Sequence, residues 1–172
     1  MKTEKTLREI YNVTSQQIGQ NQAVNADYKN LRGLNRGHLN PSGHHNSESS
    51  KDATFTLTNI VPQNIRLNSG AWNDYEQNTM ADKNKGCITN TTYVIVGAVP
   101  GNTSIANGRV NVPSHIWSGA CCRMTTNQTK AWAAIVENKE KNVTLLTLGE
   151  LEANLTNLYG KGNVSLFDSA CL

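Results

Sequence analysis

Two adjacent cysteines, Cys121 and Cys122, constrain this 172-residue chain more than any other feature. A bridge between sequence neighbours strains disulfide geometry, so once oxidised each must reach a distant partner. Cys87 and Cys171 complete an even set, and which of them takes which neighbour is open. Four reduced thiols in a cytosolic protein are the alternative. Zinc is disfavoured, because no Cys-x-x-Cys pair or suitably spaced histidine accompanies them. Two disulfides are therefore expected, and with them a secreted protein or one in the lumen of the secretory pathway. Seven Asn-x-Ser/Thr sequons, at Asn12, Asn90, Asn102, Asn127, Asn142, Asn154 and Asn163, agree with a glycoprotein, although an Asn- and Thr-rich chain produces several by chance. Met1–Arg8 has no apolar h-region and does not read as a signal peptide, so a secreted form would be a mature product or a fragment. No run approaches the length of a membrane span.

One domain over residues 1–172 is expected, long enough to bury a core. A short helix is predicted around Thr6–Tyr11, followed by a polar connection; Ser15–Asn25 shows no period. Lys29–His45, with three glycines and a proline, reads as irregular backbone fed by a short strand. Ala53–Ile60 alternates cleanly and predicts a strand or extended segment, closed by Pro62. Asn68-Ser69-Gly70 looks like a helix start, with a helix over Ala71–Ala81 that turns Trp72 and Tyr75 toward the core. Ile88–Val99 is the strongest strand, and Arg109–Val112 and His115–Ser118 flank Pro113. Ala131–Glu137 and Asn142–Leu146 form a hairpin across the charged 138–141 connection. A helix over Leu148–Tyr159 presents Leu151, Leu155 and Leu158 on one face; Thr147 and Glu150 make a capping box and Gly160 the C-terminal stop. Mixed strands and helices favour an α+β fold.

The net charge of +3 permits contact with a polyanion without requiring it. The chemistry sits in two blocks. The first is Leu34-Asn35-Arg36-Gly37-His38-Leu39-Asn40-Pro41; the second runs from Leu57-Thr58-Asn59-Ile60-Val61-Pro62-Gln63 through Leu67-Asn68-Ser69-Gly70-Ala71-Trp72 to Glu76. Hydrolysis of a phosphodiester needs a base for the attacking water and positive charge to offset charge growing on phosphate and leaving group. His38, with an ordinary pKa of about 6.5, suits the base. Arg36 can fork onto a phosphate oxygen. Asn68 and Glu76 offer the oxygen donors that Mg²⁺ prefers, with Mn²⁺ as an alternative. If Asn68 caps the helix, Glu76 lies about two turns inside it and both can look toward one ion. Each residue also has a plainer reading: a solvated histidine, a surface arginine, Asn59 as a turn former, Asn68 as a cap and nothing more. A histidine metal site from His38, His44 and His45 is a lesser alternative, since adjacent histidines do not easily point at one ion.

Asn35-Arg36-Gly37-His38 resembles the Asp-Arg-Gly-His motif of the DNA/RNA non-specific endonucleases, the ββα-metal nucleases. The second block matches that family's other signature in order and spacing, and the likeness is nearest to vertebrate endonuclease domain-containing 1 proteins. The resemblance implies a central antiparallel sheet flanked by helices, with a hairpin presenting the histidine and a helix presenting the metal ligands. It implies His38 as general base, Asn68 as the direct protein ligand of Mg²⁺ and Glu76 as holder of a metal-bound water. Arg36 would contact phosphate and Asn59 would support the site. The expected partner is DNA or RNA, held through its phosphate backbone without base preference. Three departures accompany the match: Asn35 replaces the usual Asp, Met80 stands where some bacterial members carry arginine, and the family domain begins upstream of residue 1. The first and third make a second reading available, a nuclease-fold module that binds nucleic acid or a protein partner without turnover.

Overall fold

The structure, a computed structural model, describes residues 2–139, 142–168 and 171. Helices α1 (Glu4–Tyr11) and α2 (Ser15–Ile18) open the chain, followed by a 3-10 turn at Asn25–Tyr28. Strand β1 (Leu34–His38), helix α3 (Glu48–Thr54) and strand β2 (Ile60–Asn64) come next. Short helices α4 (Ile65–Asn68) and α5 (Ala71–Asp74) run through a π-helical turn at Tyr75–Thr79 into α6 (Met80–Lys83). Strands β3 (Cys87–Val99), β4 (Thr103–Ile105), β5 (Val110–Val112), β6 (His115–Met124), β7 (Thr129–Glu137) and β8 (Thr144–Leu146) precede helix α7 (Leu148–Tyr159).

The main sheet is antiparallel in the order β3-β6-β7-β8. Alternation along β6 and β7 sorts side chains onto two faces. Ile116, Ala134 and Val136 pack against Leu67, Trp72, Tyr75 and Met80 of the helical run from α4 to α6. On the opposite face Trp117, Ala133 and Ile135 meet Leu151 and Leu155 of α7, both fully buried. Burying two leucines contributes about 3–6 kcal/mol. Leu158, expected on the same stripe, stays exposed. The capping box at Thr147 and Glu150 forms as predicted, and Gly160 ends α7 at φ 59°, a conformation costly for any residue with a Cβ. A sheet with helices on both faces is the α+β arrangement expected. The turn of the β7–β8 hairpin at residues 140 and 141 lies outside the described residues.

The same alternation resolves the cysteine pairing. Cys121 and Cys122 point to opposite faces of β6; Cys122 bridges to Cys87 and Cys121 to Cys171. Cys122 thus ties β6 to its sheet neighbour β3, and Cys121 ties it to the segment after α7.

The region before α4 departs from the expected strand over Ala53–Ile60. Ser47 accepts a hydrogen bond from the Ser50 amide and caps α3, which runs into Thr54; a 3-10 turn at Leu57–Asn59 follows. Alternating Thr and apolar residues imitated a strand here, yet Phe55 is left half exposed. Strand β2 begins only at Ile60 and runs through Pro62 instead of stopping there. It pairs antiparallel with β1, His38 opposite Ile60 and Arg36 opposite Pro62. Backbone bonds from Leu39 to Asn59 and from Ile65 to Gly33 set the ladder phase, so the Arg36–Pro62 pair falls at a non-bonded position. Proline is tolerated there because its missing N–H faces away from β1.

Pro62 and Asn64 turn their outward backbone groups to Asn138, just past β7. Asn138 Oδ1 accepts from the Asn64 amide at 2.9 Å, and Nδ2 donates to the carbonyls of Pro62 and Pro113 at 3.0 Å each. One buried amide thus fastens the β1–β2 ribbon to the main sheet.

Candidate active site

The β1–β2 ribbon and the helical run that follows carry Asn35, Arg36, His38, Asn68 and Glu76, while Asn59 sits in the 3-10 turn just before β2. Gly37 must be glycine: a Cβ there would fall 2.0 Å from Gln63 Oε1 of the neighbouring strand. Gln63 is fully buried over it, and its amide finds no hydrogen-bond partner among the described residues.

Asn59 is a positioning residue for the end of β1. Its Oδ1 accepts from the Asn40 amide, while Nδ2 donates to the carbonyls of Asn40 and Thr54, each at 2.9 Å. This side chain closes the loop next to His38 onto the end of α3. His38 is half-buried, with its ring edge-on to Phe55 at 4.8 Å between centroids. Its Nε2 is enclosed and has no hydrogen-bond partner among the described residues. Burial holds its pKa below the ordinary 6.5, so the imidazole is neutral at physiological pH.

Asn68 does not cap the helix that follows it. Asn64 takes that role one turn earlier, accepting from the amides of Arg66 and Leu67, and Asn68 is the last residue of α4. Freed from capping, its Nδ2 donates to Asn35 Oδ1 at 2.9 Å. The bond pins the amide plane and leaves Asn68 Oδ1 uncommitted among the described residues. An aspartate at 35 would accept the same bond, so the asparagine preserves the orientation and gives up the charge.

Arg36 is exposed. Its Nη2 donates to the Asn25 carbonyl at 3.3 Å, and the guanidinium lies 5.4 Å from the centre of the Tyr28 ring. Strand alternation puts Arg36 and His38 on one face of β1 and Asn35, with its Asn68 partner, on the other.

Glu76 belongs to the π-helical turn, where one extra residue widens the helix; such turns recur at functional sites. Burial pushes its carboxyl from the ordinary 4.5 up to about 7. The Trp72 indole N–H pulls the other way but stops short of a full hydrogen bond. The Glu76 backbone carbonyl accepts from His44 Nε2 at 2.9 Å, and His45 Nε2 donates to Asn40 Oδ1 at 3.1 Å. The two neighbouring histidines are thus anchored to different groups. Glu76 shares a cavity with Leu39 and Asn40, the residues directly after His38. The structure therefore joins Asn35 to Asn68 and Asn59 to the loop beside His38, and it sets Glu76 and that loop around one cavity. Arg36 is turned toward Asn25 instead.

The donors suit a hard cation. Asn68 Oδ1 and the Glu76 carboxyl offer oxygen atoms, and no group of three or more His, Cys, Asp or Glu forms a metal cage among the described residues. An ion held here would keep much of its water, as Mg²⁺ prefers. Sequence reasoning missed Asn138, Phe55 and the polar floor of the Glu76 cavity; Ser118 and Tyr75 in that floor carry no sequence signal beyond their place on a strand and a helix.

A two-stranded ribbon followed by a helix, with the histidine on the first strand and the amide and carboxylate on the helical run, defines a ββα arrangement. Residues 9–168 match the DNA/RNA non-specific endonuclease family, and the chain belongs to it. Mitochondrial endonuclease G of Homo sapiens is 45% identical over 56 residues, 32% of this chain and 18% of the human protein. Mitochondrial nuclease EXOG of Mus musculus is 49% identical over 55 residues, 31% of this chain and 15% of its own length. Mitochondrial endonuclease G of Caenorhabditis elegans is 33% identical over 125 residues, covering 66% of this chain and 40% of the worm protein. The chain thus spans less than half the length of these relatives. A solved structure of an EndoG/EndoGI complex, which concerns inhibition of EndoG, superposes with a TM-score of 0.62 at 22% identity. That likeness covers 80% of this chain and 61% of the solved one and bears on the fold.

Proposed function

We propose that the protein is a metal-dependent, sequence-independent endonuclease that hydrolyses phosphodiester bonds of DNA or RNA. The observation that carries this reading is His38: half-buried at the end of β1 and kept neutral by burial, its imidazole has one ring nitrogen with a free lone pair. Such a nitrogen takes a proton from water as the water oxygen bonds to phosphorus. The bond from phosphorus to the 3′ oxygen breaks, leaving a 5′-phosphate and a 3′-hydroxyl. Asn68 and Glu76 would hold Mg²⁺, or Mn²⁺ in its place, which supplies positive charge beside the departing oxygen. Asn35 keeps the Asn68 carbonyl oxygen available. Asn59 holds the loop on which His38 ends. Arg36, exposed and only loosely bonded to Asn25, is free to swing onto a phosphate.

Digestion of plasmid DNA and of RNA in Mg²⁺, with EDTA and His38→Ala as parallel controls, tests this. Cleavage that requires both metal and His38 supports it. A folded protein that binds nucleic acid without cutting it favours the second reading, a non-catalytic module, for which the neutral Asn35 is the specific indication. Two disulfides suit an oxidising compartment, and all seven sequon asparagines are exposed. We assign the protein to the secretory route on those grounds, although the relatives named above are mitochondrial. A mobility shift on glycosidase treatment of secreted protein checks it. No helix among the described residues is long and apolar enough to cross a membrane.

A further inference from the structure

Beside Glu76 lies a cavity of about 330 Å³ whose floor the hydrolysis proposed above does not use. Trp72, Tyr75 and Ser118 form that floor and are 1%, 2% and 1% exposed. Trp72 Nε1, Tyr75 Oη and Ser118 Oγ all lack a hydrogen-bond partner among the described residues. Ser118 and Trp132 both lie close enough to Tyr75 to bear on its hydroxyl, and Trp72 close enough to bear on the Glu76 carboxyl, yet none completes a bond. Three orphaned polar atoms in one cavity are costly unless something occupies it. The walls narrow the choice. Val94 and Val96 point inward from β3, Val96 directly opposite Ser118 in the sheet, and Met80 faces them from the helical run. Water gains little between apolar walls; a flat ring with apolar faces and a polar edge fits both walls and floor. The floor is rich in donors, so the edge it meets should bear acceptors, as the carbonyl oxygens and ring nitrogens of a nucleobase do. His44 and His45 stand at the rim, anchored through Nε2 to the Glu76 carbonyl and to Asn40 Oδ1.

We propose that this cavity receives one unstacked nucleobase of the strand bound at the site, with His44 and His45 at its rim. The proposal rests on the nuclease reading and adds to it a substrate class: strands whose bases can leave the stack, single strands and loops, are preferred over paired duplex.

Metal-free protein in EDTA is titrated with the four 5′-nucleoside monophosphates and with ribose 5-phosphate, reading tryptophan fluorescence and the Trp72 indole resonance. Nucleotides are expected to bind about tenfold more tightly than ribose 5-phosphate, the scale of one stacked base. Val94→Trp, at a partly exposed position, should plug the slot and remove that difference. Ser118→Ala, which removes only the hydroxyl, should weaken nucleotide binding while leaving ribose 5-phosphate unchanged. On single-stranded substrate Val94→Trp should raise KM about tenfold with little change in kcat. Equal binding of nucleotides and ribose 5-phosphate, or base-dependent binding untouched in folded Val94→Trp and Ser118→Ala, overturns the proposal. Base-dependent binding by a protein that cuts nothing would remove the nuclease reading and leave the cavity assignment standing. His38-dependent cleavage without base-dependent binding does the reverse.

Discussion

Replacing Glu76 by glutamine separates what this carboxyl does for the reaction from what it costs the fold. In the native protein its pKa lies at about 7; in the unfolded chain it returns to 4.5. Between those values the native state holds a proton that the unfolded state has released, so stability falls as pH rises through the window and levels off above it. At about 1.4 kcal/mol per pH decade, the charged carboxyl costs about 3 kcal/mol by pH 8. Glutamine keeps the shape and removes the charge. Urea denaturation in EDTA should therefore find wild type and Glu76→Gln equally stable near pH 4, with the variant ahead by about 3 kcal/mol at pH 8. Comparing the two proteins cancels every other titrating group. The same variant should lose cleavage, since glutamine keeps an oxygen donor but removes the only negative charge that Asn68 and Glu76 together would offer a cation. A gap that does not widen with pH, or one that favours wild type at pH 8, would refute the burial argument.

His38→Ala should lower kcat by about 10²–10⁴-fold, the usual worth of a positioned base, with thermal stability little changed. Asn35→Asp keeps the bond to Asn68 and adds a charge; cleavage should rise by up to about tenfold, and no gain in a plasmid assay would count against the Asn35–Asn68 pair as part of the site. Asn138→Ala strands the Asn64 amide and two carbonyls in a buried position, a loss of about 3 kcal/mol in urea titration. Cys171→Ser opens the bridge that spans 50 residues, and the loop-closure account puts its cost at about 4 kcal/mol in reversible unfolding of the oxidised protein.

Legibility in the sequence followed how local each signal was. Helix α7 could be read because the Thr147–Glu150 box, the leucine spacing and Gly160 all agree within a dozen residues. Asn59, Asn68 and Glu76 stand out by their place in the two blocks, but the helix start expected at Asn68 falls at Asn64 instead: Asn64 offers an equally good cap, and Asn68 turns to Asn35, a contact only the tertiary fold supplies. Ala53–Thr54 went into a helix because Ser47 caps it from six residues upstream, outside the alternating window. Asn138 sat in a run of charged residues and looked like solvated turn; its burial depends on β2, sixty or more positions earlier. The π-helical turn at Glu76 has no sequence rule at all. The pairing of Cys121 and Cys122 became readable only once β6 was known to run to Met124, which fixes which face each one takes.

That pairing has a mechanical consequence. Traced along covalent bonds, the chain can pass from Cys87 to Cys122, step back to Cys121 and cross to Cys171. Pulled at its two ends, the oxidised protein has little contour to give between residues 87 and 171, and nearly all extension must come from the first 86 residues, about 300 Å at full stretch. His38, Asn59, Asn68 and Glu76 all lie in that extensible half. Tension would therefore take the site apart while the sheet beneath it stays tethered, and release would let the ribbon refold against an intact template.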